Sequence, residues 1–248
     1  AKERKTKNIC LIDNTLKKNL RQIVGKFYFK YFLCNIFDAI FVPGKNTQTL
    51  LKYFNFKKLV LTGMYSCNNN LFKNKKIITK RKYDFIFVGK FIPRKNLDTL
   101  LKAFKKLKKN YKNCNLLLVG GNNLKKIDGV KIIPNTNSKN IANLMNNSKC
   151  LVLPSYEDHW GVVVHEGVCS GCLLILSNNV GSKNEFLKKN GYIFDPYNYD
   201  ELSKKMENIL NMKKKDMLDK SRLSYKISKK RSLQIWKKQF FKFLKKLN

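Results

Sequence analysis

The sequence predicts an α/β fold in which parallel sheets are covered by helices on both faces. Short, continuous apolar segments recur along the chain, and most are followed by a stretch with helical periodicity. Continuous apolar strands are typical of parallel sheets that are buried on both faces. With 248 residues, 43% of them hydrophobic, the chain can bury a sizeable core in one large or two small domains. Folds of this class bind ligands beyond the carboxyl ends of their strands.

The first zone, residues 1–78, is predicted to be a partial α/β domain with the order βαβα. Its elements are, in order, an apolar run Ile9–Ile12, a helical pattern Leu20–Phe32, a strand Ala39–Gly44 and a helix Thr47–Phe54. The basic stretch Lys73–Lys82 contains few apolar residues, which predicts a linker or domain boundary.

The second zone, residues 79–211, is predicted to be a ligand-binding domain with a Rossmann-like parallel sheet. Its predicted strands are Asp84–Gly89, Asn115–Gly121, Val130–Ile133, Cys150–Pro154 and Leu173–Ser177. Its predicted helices are Leu97–Lys109, Ser138–Asn146 and Val162–Ser170. We expect four loops to face the ligand, namely those after Val88, Val119, Leu153 and Ile175.

The last zone, residues 212–248, is predicted to be helical and to pack back on the preceding domains. The helical pattern begins near Leu202 and continues to Leu247. Large apolar side chains recur at three- and four-residue steps with lysines between them: Leu233, Trp236, Phe240, Phe241 and Leu244. This stripe favours core packing over a membrane-surface helix.

The strong positive charge predicts an affinity for phosphates. Lysine and arginine total 52 against 16 acidic residues, which gives a formal charge of +36. Such a surface attracts nucleic acid, lipid head groups or nucleotides. The excess is nearly all lysine and accompanies abundant asparagine and isoleucine, as expected of an AT-rich coding sequence whose lysines fill ordinary solvated faces. No motif of a nucleic-acid-binding fold is present, so we expect no specific nucleic-acid partner.

The cysteines indicate a reducing, cytoplasmic compartment. Five of the seven stand alone in apolar settings, which is typical of reduced core thiols: Cys10, Cys34, Cys67, Cys114 and Cys150. The most apolar stretch, Phe27–Val42, is interrupted by Lys30 and Asp38 and is too short to span a bilayer. No signal peptide precedes it, so we expect no membrane-spanning segment.

A basic loop follows the first strand of the second zone. In "VGKFIPRKN", Lys90, Arg94 and Lys95 lie between the carboxyl end of a strand and the start of a helix. Free backbone N–H groups and the helix dipole favour an anion at such a position. The loop is therefore a candidate pyrophosphate site, although solvated lysines would look the same in so basic a chain. Neither G-x-G-x-x-G nor the P-loop pattern occurs.

The stretch Ser155–Leu176 concentrates polar chemistry. Asp158 lies in the loop after a predicted strand, Glu166 lies about one turn into the following helix, and Gly161 between them allows the backbone to approach a ligand. We expect both carboxylates and a set of free N–H groups to face one cleft. Carboxylates accept hydrogen bonds from sugar or ribose hydroxyls, and the N–H groups donate to phosphate oxygens.

The same stretch indicates a metal or redox site less strongly than a site for hydroxyls and phosphates. His159 and His165 are six residues apart and do not form the i, i+4 pair of a helical zinc site. Cys169 and Cys172 have C-x-x-C spacing, but no second pair accompanies them, and they close a helix at Gly171 rather than opening one. Both thiols are therefore predicted to serve packing, and no metal site is predicted.

Four segments together resemble the donor half of GT-B glycosyltransferases, specifically the retaining family-four enzymes. They are "GKFIPRKN", "VLPSYEDHWGVVVHEGVCSGC", "NNVGSKNEFL" and "NGYIFDPYNYDEL", which span roughly residues 83–211. The resemblance implies that Lys90 and Lys95 hold the donor diphosphate, although the family usually has arginine at the first position. It also implies that Asp158 and Glu166 are the catalytic E-x₇-E pair, with Asp158 near the sugar hydroxyls and Glu166 on the ribose.

The resemblance extends to the residues around this pair. It implies that Gly161 and Val162 bind the donor phosphates. It further implies contacts to the sugar or nucleotide from Gly89, His159, Trp160 and Val163. The segments "IDNTLKKNLRQ" and "FDAIFVPGKNTQTLLKYFNF" resemble the end of the family's acceptor domain. We therefore expect the front part of that domain, with the family's catalytic-site histidine, to be missing from this chain.

The function implied by the resemblance is sugar transfer with retention from a nucleotide-diphospho-sugar to a glycan or lipid-linked acceptor. A lipopolysaccharide-type or other cell-surface polysaccharide acceptor is expected, with peripheral contact to anionic lipid at the inner membrane face. No metal or other cofactor is expected besides the nucleotide sugar as co-substrate. Two alternatives remain: a non-catalytic or split nucleotide-sugar-binding module, and a basic nucleic-acid-binding protein.

Overall fold

The chain forms two compact α/β units in a computed structural model that describes residues 6–73, 75–122 and 124–247. The first unit contains the described residues up to Ser66 and from Arg231 onward, and the second runs from Cys67 to Lys230. The units therefore divide at other residues than the predicted boundaries at 78 and 211.

The predicted strands and helices occur in the predicted order. The strands are β1 (Ile9–Leu11), β2 (Ala39–Val42), β3 (Leu59–Thr62), β4 (Tyr83–Val88), β5 (Leu116–Val119), β6 (Val130–Ile133), β7 (Ser148–Leu153), β8 (Leu173–Ser177) and β9 (Gly191–Phe194). The helices are α1 (Leu20–Tyr28), α2 (Lys45–Tyr53), α3 (Leu97–Asn110), α4 (Ser138–Asn146), α5 (Val162–Cys169), α6 (Lys183–Phe186), α7 (Tyr199–Leu210), α8 (Lys214–Lys229) and α9 (Leu233–Leu247). Of these elements, β3, β9 and α6 are additional to the predicted ones.

The first unit is built on a three-stranded parallel sheet in the order β1-β2-β3. Alternate residues of β2 point to opposite faces, so Ile40 and Val42 pack with Phe29, which lies in the π-helical turn after α1. Phe41 faces the other way and packs against the rings of Trp236 and Phe240 at 6.4 and 5.8 Å between centroids. Helices therefore cover both faces of this sheet.

The packing of α9 confirms part of the predicted apolar stripe. Trp236 and Phe240 pack as predicted, but Leu233 and Phe241 are 43% and 62% exposed. Phe243, which the predicted stripe omits, is the buried residue of this helix at 4% exposure. A helix of 3.6 residues per turn that lies on the small three-stranded sheet buries a narrower arc than the full stripe, which leaves Leu233 and Phe241 at the margins in solvent.

The second unit is built on a six-stranded parallel sheet in the order β6-β5-β4-β7-β8-β9. The chain enters at the central strand β4, winds outward through β5 and β6, and then returns to pair β7 with the other side of β4. The order therefore reverses between β4 and β7, where a doubly wound sheet opens a crevice for ligands. The prediction of a Rossmann-like parallel sheet is confirmed.

Two side chains of the stretch predicted as a linker or domain boundary are buried in the second unit. Within Lys73–Lys82, Ile78 lies in a 3₁₀ turn and is 1% exposed, and Arg81 is 4% exposed. Helix α8 packs against this turn and against α5 and β8, so it belongs to the same unit as the sheet. Charge composition suggested a solvated connection, but these two side chains are buried and the unit begins earlier, at Cys67.

Among the described residues, every helix is either too short or too polar to cross a lipid bilayer.

Candidate functional site

The candidate site lies where the sheet order reverses, between the loops that follow β4 and β7. The two loops are joined by a backbone hydrogen bond of 2.9 Å from the Tyr156 N–H to the Arg94 carbonyl. Asn96 is 3% exposed, and its Nδ2 donates to the carbonyls of Pro154 and Pro196 at 3.0 and 2.7 Å. One buried amide thus holds both loops and the segment before α7 together.

Two residues predicted for different roles, Lys95 and Asp158, form an ion pair at the centre of these loops. The Lys95 ammonium lies 2.5 Å from Asp158 Oδ2, and the side chains are 13% and 8% exposed. Lys95 ends a 3₁₀ turn, Pro93–Lys95, that the left-handed Asn96 terminates before α3. An ammonium has three donors, so Lys95 can hold Asp158 and a further anion at the same time.

The other basic residues of the first loop face solvent. Lys90 and Arg94 are both exposed. Gly89 is fixed by a 2.9 Å hydrogen bond from its N–H to the Val119 carbonyl. The loops after β4 and β5 approach closely, since a Cβ at Gly120 would lie 2.2 Å from the Gly89 carbonyl oxygen. The two predicted phosphate-binding lysines therefore differ, because Lys90 is exposed to solvent and Lys95 is held by a carboxylate.

Helix α5 begins in a way that suits an anion. Gly161 adopts the left-handed conformation at φ +75°, and no side chain caps the helix start. The first turn carries no acidic residue, so nothing in it offsets the positive end of the helix dipole. The N–H groups of Val162 and Val163 have no acceptor within their own helix. They are candidate donors to a phosphate.

Asp158 is held by its backbone as well as by Lys95. Its N–H donates to the Asn179 carbonyl at 3.3 Å, and its carbonyl accepts from the Gly181 N–H at 2.8 Å. A Cβ at Gly181 would lie 1.7 Å from the His159 carbonyl oxygen, so only glycine allows this approach. The loop after β8 thus positions the carboxylate. The sequence indicated neither this glycine contact nor the buried Asn96.

Glu166 lies in α5, half-buried, on the turn that follows the helix start. Burial, and secondly the neighbouring Cys169 thiol, raise the pKa of the Glu166 carboxyl to about 7. Near neutral pH this side chain therefore exists in both protonation states and can accept or donate a hydrogen bond.

The two aromatic residues before the helix are placed differently from each other. His159 Nε2 lies 2.8 Å from Glu157 Oε1, and both side chains are more than a third exposed, at 38% and 39%. Trp160 is 4% exposed and packs edge-on against Phe186 at 6.0 Å between ring centroids. A contact between a donor and residue 160 would therefore use the backbone, whereas His159 is accessible.

The two cysteines of the C-x-x-C spacing have separate surroundings. Cys172 packs in the core as predicted, with its thiol 3.4 Å from the Met145 carbonyl. Cys169 is different, because its Sγ lies 3.3 Å from Sγ of Cys67. Cys67 and Cys169 are buried free thiols, as predicted, but the sequence did not indicate that they lie in contact. The contact joins residues 102 positions apart, which local spacing cannot reveal.

Comparison with known proteins connects this geometry to one group of enzymes. The sequence profile described as "Glycosyl transferases group 1" matches residues 68–226. An uncharacterized glycosyltransferase of Methanocaldococcus jannaschii is 27% identical over 212 residues, which is 80% of this chain and 56% of that protein. The chain therefore spans just over half the length of this curated relative.

Solved structures share the fold at low sequence identity. The structure of the GtfA/B complex superimposes with a TM-score of 0.80 at 14% identity. The match covers 99% of this chain and 54% of the chain in that complex. The pneumococcal O-GlcNAc transferase, in complex with UDP and GlcNAc, has a TM-score of 0.74 at 16% identity, with coverages of 95% and 52%. At such identities the likeness establishes the fold alone.

Proposed function

The chain belongs to the glycosyl transferases group 1 family, and from this premise we propose that it moves a sugar from a nucleotide-diphospho-sugar to a glycan or lipid-linked acceptor. The observation that carries the proposal is the buried Lys95–Asp158 pair beside the uncapped start of α5. A cation and a helix N-terminus at one crevice suit a diphosphate. The adjacent carboxylate suits the hydroxyls of a sugar.

The donor phosphates would lie on Lys95, Lys90 and the first N–H groups of α5. Lys95 is fixed by Asp158, so it would give a positioned charge, whereas the exposed Lys90 would close onto the phosphate from solvent. A related fold binds such a donor product, since the pneumococcal enzyme is described in complex with UDP. Glu166, on the next turn of α5, would accept hydrogen bonds from the ribose.

The proposed chemistry rests on electrostatic stabilisation of the departing nucleoside diphosphate. Negative charge grows on the leaving phosphate as the sugar's anomeric carbon becomes oxocarbenium-like, and the two lysines and the helix dipole would stabilise that charge. Asp158 would orient the sugar through its hydroxyls. Retention of configuration places the acceptor hydroxyl on the face that the leaving group vacates. These basic groups would supply the stabilisation without a metal ion.

The direct test is calorimetric titration of the full chain with UDP, GDP and their common sugars. We expect one nucleotide and its sugar to bind. Glu166→Gln should weaken the binding of that nucleotide more than the binding of inorganic pyrophosphate, because only the nucleotide has a ribose. A folded chain that binds none of these ligands would refute the proposal. Release of nucleoside diphosphate during incubation with the donor sugar would separate a transferase from a module that only binds the donor.

The role of the α5 start can be tested by alanine substitutions at the two ends of this helix. Gly161 (φ +75°) precedes α5 and Gly171 (φ +68°) follows it, both in the left-handed region. Alanine at either position should cost about 1 kcal/mol of stability from backbone strain. Gly161→Ala should also weaken nucleotide binding about tenfold, since it shifts the phosphate-facing N–H groups, whereas Gly171→Ala should leave binding unchanged. If titration gives both variants the same nucleotide affinity, the start of α5 does not bind the donor phosphates.

We propose that the acceptor is lipid-linked and that the chain works at the inner face of a membrane. The support is the turn around the end of α1, where Phe27, Tyr31 and Phe32 are 59%, 63% and 63% exposed next to Lys26 and Lys30. Exposed aromatics interleaved with lysines suit an anionic lipid surface.

Vesicle flotation tests this proposal. Vesicles containing phosphatidylglycerol should bind more chain than vesicles of pure phosphatidylcholine, because the basic residues meet anionic head groups. Replacing both Phe27 and Phe32 with serine should reduce that binding several-fold at unchanged charge. Phe241→Ser is the control, since Phe241 is 62% exposed on α9. Equal binding to both vesicle types would contradict a membrane-associated acceptor.

A further inference from the structure

Helix α5 carries a second set of chemical groups on a face that the proposed donor site does not use. His165 and Cys169 are four residues apart in this helix, so both lie on the same face, one turn from each other. Cys67, at the start of the second unit, meets them there, with its Sγ 3.3 Å from Sγ of Cys169. The ligand atoms of the three residues all lie within 4.8 Å of one another, and all three residues are buried.

We propose that Cys67, His165 and Cys169 form a binding site for a Zn²⁺ ion. Two thiolates and one imidazole are the ligands that Zn²⁺ prefers, and three protein ligands leave a fourth position for water or another group. The two thiolate charges balance the charge of the ion, so the complex is neutral and suits a buried position. Binding forms two Zn–S bonds and one Zn–N bond and releases the two thiol protons to solvent.

His165 gives the strongest indication that a ligand belongs here. The side chain is 1% exposed, and within the described part of the chain neither ring nitrogen has an oxygen or nitrogen hydrogen-bond partner, while the Cys169 thiol lies beside the ring. Buried polar atoms in native proteins are nearly always satisfied, and leaving one unpaired is costly. The ring stacks on Phe186 at 4.7 Å between centroids, which fixes its plane and leaves its nitrogen edges for coordination.

The separation of the sulfurs suits a shared ion better than a covalent bond. Two sulfurs held by one zinc ion at about 2.3 Å each lie roughly 3.8 Å apart at the tetrahedral angle. The distance of 3.3 Å is about half an ångström short of this value, which small rotations about the Cα–Cβ bonds would supply. A disulfide would require about 2.05 Å, and both cysteines are free thiols.

A hydrogen bond behind the sulfur supports the assignment. The Asn69 amide donates from Nδ2 to Sγ of Cys169 at 3.1 Å. Amide N–H groups that point at a metal-bound sulfur stabilise its negative charge and fix its direction. The ion would join the segment around Cys67 to α5, the helix whose other end is proposed to bind the donor phosphates. The ion would not contact the donor phosphates, which are proposed to bind at the start of α5. The zinc site is therefore independent of the proposed transfer chemistry.

Zinc binding by the full chain tests the proposal. The reduced chain, freed of metal with a chelator, should take up one equivalent of Zn²⁺ after dialysis, measured by atomic emission. Co²⁺ in place of Zn²⁺ should give the intense thiolate-to-metal absorption and the visible bands of a tetrahedral site. Zinc should also raise the melting temperature, because it binds the assembled three-ligand site more tightly than the unfolded chain.

Matched substitutions identify the ligands. Cys67→Ser and Cys169→Ser should abolish the thiolate-to-cobalt absorption, and His165→Gln should weaken zinc binding at least tenfold. Cys114→Ser removes another buried thiol, and His159→Ala removes the other histidine, so both should bind zinc as the native chain does. Should a serine variant fail to fold, alkylation of the native chain gives the same information. Bound zinc should slow the alkylation of Cys67 and Cys169 relative to the metal-free chain. A reduced, folded chain that binds no zinc, or whose cobalt spectrum lacks the thiolate absorption, would overturn the proposal.

Discussion

Replacing Lys95 with alanine is expected to weaken nucleotide-diphosphate binding by about 100-fold. The Lys95 ammonium is 13% exposed and is held 2.5 Å from Asp158, so it would meet the phosphates already positioned and partly desolvated. Charge-assisted hydrogen bonds of this kind are about twice as strong as neutral ones, and 100-fold corresponds to about 2.7 kcal/mol. Calorimetric titration with the nucleotide that the native chain binds measures the loss.

The same substitution should also destabilise the fold, and the two effects can be separated. Alanine leaves the Asp158 carboxylate, 8% exposed, without its cation, which should cost about 3 kcal/mol. Asp158→Asn breaks the same pair but keeps the lysine, so it should lose stability and lose much less phosphate binding than Lys95→Ala. Lys109→Ala removes an exposed lysine at the end of α3 and is the control for net charge. If Lys95→Ala binds the nucleotide as Lys109→Ala does, Lys95 has no part in the donor site.

The contrast between Lys90 and Lys95 shows what the sequence alone could say about the site. The sequence placed both lysines in one loop between a strand and a helix, and the structure agrees. It could not distinguish them, because the ion pair of Lys95 joins residues 63 positions apart. The proposed zinc ligands show the same limit. The i, i+4 spacing of His165 and Cys169 is visible in the sequence, but their contact with Cys67 is not.

Element bounds were most predictable where an apolar run or a helical pattern has clear breaks at both ends. β6, α4 and β8 lie at the predicted residues, since their apolar runs or helical periodicity are bounded by clear breaks. β3 and β9 were missed. β3 is half-buried along its whole length, and of β9 only Phe194 is fully buried, so neither has the continuous burial that marks the central strands. Both are edge strands of their sheets, as are β1 and β6, which were predicted, so edge position alone does not hide a strand.

Arg81 explains why the domain boundary was placed too late. The residue lies in a lysine-rich stretch that resembles a solvated linker, yet it is 4% exposed. Its guanidinium donates to the carbonyls of Ser148 and Ser170 at 2.8 and 2.6 Å, and its Nε donates to the Lys76 carbonyl at 3.1 Å. Ser170 follows the last turn of α5, and Nη1 also lies 3.5 Å from the Met145 carbonyl at the end of α4. The cation therefore lies at the negative ends of two helices.

Replacing Arg81 with methionine is expected to destabilise the second unit by about 5 kcal/mol. Methionine fills much of the volume but donates no hydrogen bonds, so several buried carbonyls lose their donor and two helix ends lose their counter-charge. Lysine should recover only part of the loss, because a single ammonium cannot reproduce the planar fork.

Urea denaturation of the native chain, Arg81→Met and Arg81→Lys gives their free energies of unfolding. Arg222→Met is the matched control, since Arg222 pairs with Asp219 on α8 and its side chain is 77% exposed. Its loss should stay below about 0.5 kcal/mol, as for most surface ion pairs. A loss for Arg81→Met as small as that of the control would mean that water replaces the guanidinium at the carbonyls. The 67–82 segment would then be held to the sheet by apolar contacts such as those of Ile78, and the charge would be incidental to where the unit begins.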